Sequence, residues 1–166
     1  EHASNDPLTG LANRREGSTY LQAQIELCQR LNMPLGLAFI DIDYFKAVND
    51  MYGHLTGDRV LQQVASVVKS AVRGSDLACR WGGEEFIVIA PNTTLEKMHL
   101  VAEKVRLAVQ HALASHTPPV TISLGVAAAS GQQLNHTTLM SDADSALYLA
   151  KQNGRNRVEL ATPAQG

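Results

Sequence analysis

The chain has 166 residues, of which 45% are apolar and 18% charged, and a formal net charge of -2. This composition describes one folded domain with a substantial core and excludes a disordered tail or a fibre. The near-neutral balance lacks the clustered basic face that a nucleic-acid backbone calls for, so no nucleic-acid partner is expected. Cys28 and Cys79, the two cysteines, each sit in an apolar-patterned segment without a CxxC spacing, which argues against a zinc site or a disulfide framework and fits a reducing, cytoplasmic compartment. No apolar run reaches the roughly 20 residues needed to cross a bilayer.

Starting at Glu1 without a methionine, the sequence reads as a single domain over 1–166 cut from a longer protein, with 1–13 as a leading segment. Asn13 and Glu16 resemble a capping box, and Leu21, Ile25, Cys28 and Leu31 repeat at helical spacing, which predicts a helix from about Arg14 to Leu31 stopped by Pro34. The mostly apolar run 35–42 has strand length and suits an interior strand covered on both faces; its acidic end is the anomaly. Apolar positions 60, 61, 64, 67, 68, 71 and 72 draw one stripe over 58–72, a helix for which Asp58 is a candidate N-cap.

Gly82-Gly83, between short runs at 78–81 and 86–90, predicts a hairpin whose tight turn takes positive φ at the glycines. A long helix over 95–113 follows, closed by Pro118-Pro119. The alternation of Val120, Ile122, Leu124 and Val126 with Thr121, Ser123 and Gly125 marks a strand with unlike faces. A helix over 138–152, ended by Asn153-Gly154, and a short strand at 157–160 complete the chain. Helix, strand, helix, strand, strand, helix, strand, helix, strand, with a hairpin at the centre, predicts an α+β fold: helices flanking a mixed, mainly antiparallel sheet.

Asp41 and Asp43 end an apolar strand and Glu84 and Glu85 follow the expected turn, so four carboxylates punctuate core elements. Carboxylates gathered in a partly buried site repel one another unless a cation compensates them, and oxygen-only donors point to magnesium, with manganese as an alternative, rather than zinc. Spacing alone does not make these acids converge, because acids at strand ends are also what solvated termini look like.

The ordered motifs separate these readings. Asp6-Pro-Leu-Thr-Gly-Leu-Ala-Asn-Arg-Arg15, Asp41-Ile-Asp-Tyr-Phe-Lys46, Asn49-Asp50, Gly53-His54, Gly57-Asp58, Arg80-Trp-Gly-Gly-Glu-Glu-Phe86 and the stretch from Ala143-Asp144 to Arg157 together resemble the GGDEF family of diguanylate cyclases. The resemblance implies a polymerase-palm-like, nucleotide-cyclase-like domain that condenses two GTP into cyclic di-GMP and two pyrophosphates. The signature is the GGEEF variant, in which Glu84 keeps a carboxylate with one more methylene of reach. Gly17 departs from the pattern, standing where relatives often carry an apolar residue; on propensity it weakens the first helical turn by roughly 1 kcal/mol and brings the packing of the leading segment into question.

By resemblance, Asp41, the Ile42 carbonyl and Glu84 hold magnesium against the GTP phosphates, Glu84 or Glu85 is available to help deprotonate the attacking 3′-hydroxyl, and Arg80 reaches phosphate or product. Asn49 and Asp58 match guanine-binding positions, an amide and a carboxylate complementing the donor-rich edge of the base. Leu8 and Leu61 would pack near that base. Lys46, Lys151 and Arg155 match phosphate-contacting positions, with Lys151 and Arg155 one helical turn apart, and His54 is placed near substrate.

Arg73-Gly-Ser-Asp76 has the spacing of the family's RxxD site and implies feedback inhibition by cyclic di-GMP held on Arg73 and Asp76. A symmetric product made from one GTP per domain implies a homodimer during catalysis. An upstream sensory or membrane domain of a signalling protein is expected, with inner-membrane anchoring of the full-length protein as an option. A silent module that only binds GTP or cyclic di-GMP is the competing class, against which intact Asp41, Glu84, Lys46 and Lys151 argue.

Overall fold

The structure, a computed structural model, describes residues 4–162. Residues 1–3 of the leading segment and 163–166 of the domain read over 1–166 lie outside the described residues. The elements in chain order are α1 (Arg14–Leu31), β1 (Pro34–Ile42), α2 (Phe45–Tyr52), α3 (His54–Ala71), β2 (Leu77–Arg80), β3 (Glu85–Pro91), α4 (Leu95–Ala112), β4 (Ile122–Ser130), α5 (His136–Gln152) and β5 (Val158–Leu160), with a turn of 3-10 helix at Gly131–Gln133. The strands form one sheet in the order β2-β3-β1-β4-β5, antiparallel except for the parallel β4–β5 pair. The mixed, mainly antiparallel α+β architecture is the expected one.

Strand β1 lies at the centre and is buried from Leu35 to Ile42. Because side chains alternate along a strand, Leu35, Leu37 and Phe39 enter one core with Leu21, Ile25 and Cys28 of α1 and Ala143 and Leu147 of α5. Ala38, Ile40 and Ile42 enter the other, with Val60, Val64 and Val68 of α3 and Met98 and Val105 of α4. Two helical layers thus clamp the sheet. Ile40 is fully buried, and truncating it to alanine would cost about 2–5 kcal/mol.

Several local expectations need correcting. Asn13 caps α1, its side chain accepting from the Glu16 N–H at 2.9 Å. The helix ends on Asn32 in the left-handed conformation (φ 51) rather than on Pro34, which opens β1. Helix α2 went unread, and α3 begins at His54, four residues before Asp58, so Asp58 caps nothing and sits exposed in the second turn. Neither Gly82 nor Gly83 takes a positive φ; their loop is closed by Trp81 and Gly82 N–H groups donating to the Glu85 carbonyl at 2.8 and 3.2 Å.

Gly17 is not a weak point. A Cβ there would fall 2.5 Å from the Cys79 sulfur, so the glycine is what lets α1 lie against β2. The two faces of β4 differ as expected, yet both are covered: the face bearing Ser123, Gly125 and Ala127 is made of small residues because α5 rides directly on it. A Cβ at Gly125 would meet the Ala143 carbonyl at 2.1 Å.

Candidate active site

The sheet brings the acids together at one end. In the antiparallel register Asp41 faces Glu85 on β3 and Ser123 on β4. The Ile42 N–H donates to the Glu84 carbonyl at 3.2 Å, stitching the end of β1 to the β2–β3 loop. Lys151, from the last turn of α5, donates to Asp41 Oδ2 at 2.5 Å. Burial pushes the Asp41 carboxyl above its ordinary pKa; Lys151 offsets part of that, and Glu84 and Asp43 add to it. Glu85 is pushed up as well, by burial first and then by Asp41 and Glu84. A cleft of about 530 Å³ opens beside this cluster, lined by Glu85, Asp144, Tyr148 and Lys151 among others.

Arg80 holds the loop that carries Glu84. Its Nε and Nη2 donate to the Gly82 and Gly83 carbonyls at 2.9–3.2 Å, and Nη1 donates to both oxygens of Asp6 at 3.1 and 3.2 Å. Asp6 in turn accepts from the Thr9 N–H and hydroxyl at 2.9 and 2.8 Å. The leading segment is thereby locked to the acidic loop, and the Arg80 guanidinium is spent on that lock. A Cβ on Gly82 would lie 2.8 Å from Glu85 Oε1, so this glycine makes room for the glutamate.

Asp43 meets a different fate. It accepts from the Thr121 and Ser123 hydroxyls at 2.7 and 2.6 Å and from the Asn156 N–H at 3.0 Å, with Arg155 Nη1 at 4.0 Å. Arg155 lies beyond α5, in a left-handed loop (φ 64), not one helical turn from Lys151; its guanidinium stacks over the Tyr44 ring at 4.6 Å. Tyr44 is itself left-handed (φ 57) and starts α2 without a side-chain cap, leaving the first N–H groups of that helix available. Lys46 and His54 are exposed near the starts of α2 and α3.

Helices α2 and α3 pack so that a Cβ on Gly57 would coincide with the Asn49 amide, 1.9 Å from Oδ1. The Asn49 side chain therefore rests on α3 at Gly57, the residue before Asp58. Leu61 is buried one turn further on, Leu8 packs against the same core, and the Leu8 carbonyl accepts from Gln62 at 3.2 Å.

Arg73 and Asp76 lie at the far end of β2 from the acidic loop. Asp76 is buried and grips the Arg73 Nε and Nη2 at 3.1 and 2.8 Å, while Nη2 also donates to Thr93 at 2.7 Å. Half of the Arg73 side chain remains exposed beside a cleft of about 410 Å³ that also includes Lys69 and Glu16. Asp76 thus orients Arg73, and both residues line that cleft.

Among the described residues no three acidic, histidine or cysteine side chains form a ready-made metal cage. Two carboxylates, Asp41 and Glu84, with the Ile42 main-chain carbonyl would nonetheless make a partial, all-oxygen shell of the kind a hard divalent cation accepts when substrate phosphates and water supply the rest. Burial first, and then the neighbouring Glu84 and Asp43 carboxylates, disfavour the charged form of Asp41, with Lys151 offsetting part of this; a divalent cation would relieve both effects, so the residues present fit one. Sequence reading missed α2, although Phe45, Val48 and Tyr52 repeat at helical spacing, and missed Tyr44, Thr121, Ser123 and Asn156, whose roles arise only when distant segments meet.

Residues 3–157 match the family model described as diguanylate cyclase, GGDEF domain. The response regulator PleD of Caulobacter vibrioides is 41% identical over 163 residues, covering 95% of this chain and 36% of PleD. Diguanylate cyclase DgcM of Escherichia coli is 40% identical over 162 residues, covering 97% of this chain and 39% of DgcM. The chain thus spans little more than a third of these relatives. Among solved structures, the GGDEF domain of DgcB from Caulobacter crescentus in complex with c-di-GMP superposes with a TM-score of 0.90 at 35% identity, over 97% of each chain. The active GGEEF domain of a diguanylate cyclase from Vibrio cholerae gives 0.85 at 33% identity, over 93% of this chain and 99% of that one.

Proposed function

Because the chain belongs to the GGDEF family of diguanylate cyclases, we propose that it condenses two GTP into cyclic di-GMP, releasing two pyrophosphates. The observation that carries this reading is the cluster of Asp41, Glu84 and Glu85 at one sheet end, bordered by Lys151 and by a cleft of nucleotide size.

Asn49 and Asp58 bind the guanine edge, with Leu8 and Leu61 beneath the base. Lys46, Lys151, Arg155 and the uncapped N-terminus of α2 neutralise the triphosphate, and His54 lies at the rim. Asp41, the Ile42 carbonyl and Glu84 would hold magnesium, with manganese as an alternative, and the bound ion would shield phosphate charge and ease departure of pyrophosphate. Glu85 lies on Asp41's side of the sheet and is placed to hold the proton of the attacking 3′-hydroxyl. Arg80 keeps the acidic loop in place through the Gly82 and Gly83 carbonyls.

One GTP per domain and a symmetric product require two domains face to face, so the same residues are used twice across a two-fold axis. Cyclic di-GMP bound at Arg73 opposes that encounter, with Asp76 fixing the guanidinium. In a longer protein an upstream sensory or membrane domain would set the encounter rate, with the catalytic domain in the cytoplasm. Incubation with GTP and magnesium, followed by identification of the product by mass, tests the reaction. Arg73→Ala should relieve inhibition by added cyclic di-GMP without lowering the uninhibited rate, and unaltered inhibition would refute the RxxD assignment.

A further inference from the structure

The loop after α5 holds two consecutive non-glycine residues in the left-handed region, Arg155 (φ 64) and Asn156 (φ 46), just after Gly154 (φ 123). Such residues are strained and persist only where their surroundings over-determine them. On the inner side the Asn156 N–H is fixed to Asp43 at 3.0 Å. On the outer side the clamp comes from α4: Arg106 Nη1 donates to Asn156 Oδ1 at 3.1 Å and to the Asn156 carbonyl at 3.4 Å. Arg106 is itself aimed by a two-point fork onto Glu103, with both distances 2.9 Å, and by Gln110 at 3.2 Å. Only 15% of the Arg106 side chain is exposed.

We propose that Arg106, on a helix that carries none of the family motifs quoted above, is a positioning residue for phosphate recognition: it holds Asn156 left-handed so that Arg155 stays stacked on Tyr44 and directed at the triphosphate. The inference rests on the reading of Arg155 as a phosphate contact. A rigid bidentate fork is what the geometry uses, and lysine would not reproduce it. Asn49 and Asp58 lie on α2 and α3, outside the clamp, so loss of Arg106 should weaken the grip on phosphate and spare the grip on guanine. A merely structural arginine would show no such selectivity.

The test is calorimetric binding of GTP, GDP and guanosine, with magnesium, to wild type, Arg106→Ala, Arg106→Lys, Asn156→Gly and the double variant Arg106→Ala/Asn156→Gly. In Arg106→Ala, affinity should fall about tenfold for GTP, less for GDP and under twofold for guanosine, with Arg106→Lys intermediate, as expected when a preorganising contact and not a base contact is lost. Glycine is at ease at positive φ, so removing Arg106 in the Asn156→Gly background should cost GTP less than about threefold, because the clamp no longer has strain to hold. If Arg106→Ala does not fold, Glu103→Gln, which only loosens the fork, should give the same ligand ranking at smaller amplitude. Equal losses for all three ligands, a lowered Tm with unchanged GTP affinity, or a full tenfold loss in the Asn156→Gly background would each overturn the role assigned to Arg106. Wild-type protein that binds no GTP would instead overturn the reading of the site.

Discussion

Two carboxylates leave the end of β1 two residues apart, and the regions they enter differ in how fully the chain answers their charge. Around Asp43 the answer is complete: two hydroxyls, a main-chain N–H and a nearby guanidinium surround a buried side chain. Around Asp41 a single lysine faces an aspartate and two glutamates, and burial raises the pKa. A satisfied carboxylate behaves as scaffold, whereas an under-compensated one among like charges is a place built to receive a cation or a proton.

Substitution should separate the two regions sharply. Asp41→Asn and Glu84→Gln should each lower the synthesis rate by about 10²–10³-fold, the scale of losing a charge-stabilising group, while thermal unfolding stays near wild type. Asp43→Asn should instead destabilise the fold by about 3 kcal/mol, because it converts charge-assisted bonds into a poorly matched amide. Folded, fully active Glu84→Gln protein would remove the metal assignment, and an Asp43→Asn protein with unchanged Tm would erase the contrast.

The site's outline was legible in the sequence because its motifs sit at fixed points of a regular pattern: Asp41 at the end of an apolar run, Glu84 and Glu85 after a glycine pair, Lys151 at a helix end. What stayed hidden was tertiary. Asp58 looks like an N-cap until α3 is seen to start at His54. Gly17 looks like a flaw until Cys79 is seen against it. Gly82 and Gly83 look like a positive-φ turn, yet neither takes one; the smallness of Gly82 makes room for Glu85 instead, while a Cβ on Gly83 would meet open space. Nothing local in Arg106 announces Asn156, 50 positions away.

A smaller effect probes the base pocket. Gly57→Ala would drive a Cβ into the Asn49 amide, so KM for GTP should rise about tenfold and discrimination against ATP should weaken, the scale of one lost base hydrogen bond. Unchanged nucleotide preference in steady-state kinetics would argue that Asn49 does not read guanine. Gly17→Ala, which crowds Cys79, should cost about 1–3 kcal/mol in stability as an overpacked contact, with near-normal turnover in the protein that folds.

The smallest effect concerns the lock on the acidic loop. Burial pushes Asp6 up, but Thr9 and Arg80 outweigh it and hold the carboxyl below its ordinary value of 3.8. A lowered carboxylate contributes stability above its unfolded pKa and loses it as pH falls through the folded value. Wild-type Tm should therefore drop more steeply below about pH 3.8 than that of Asp6→Asn; parallel curves would show that the lock adds nothing to stability.

The most direct measurement is the initial rate of product formation from GTP and magnesium at increasing protein concentration, with the product identified by mass. Cyclic di-GMP should appear with a specific activity that rises while monomers dominate and flattens once dimers do. Folded protein that binds GTP through Asn49 and Asp58 yet yields no cyclic dinucleotide at any concentration would contradict the assignment and leave a module that only binds its nucleotide.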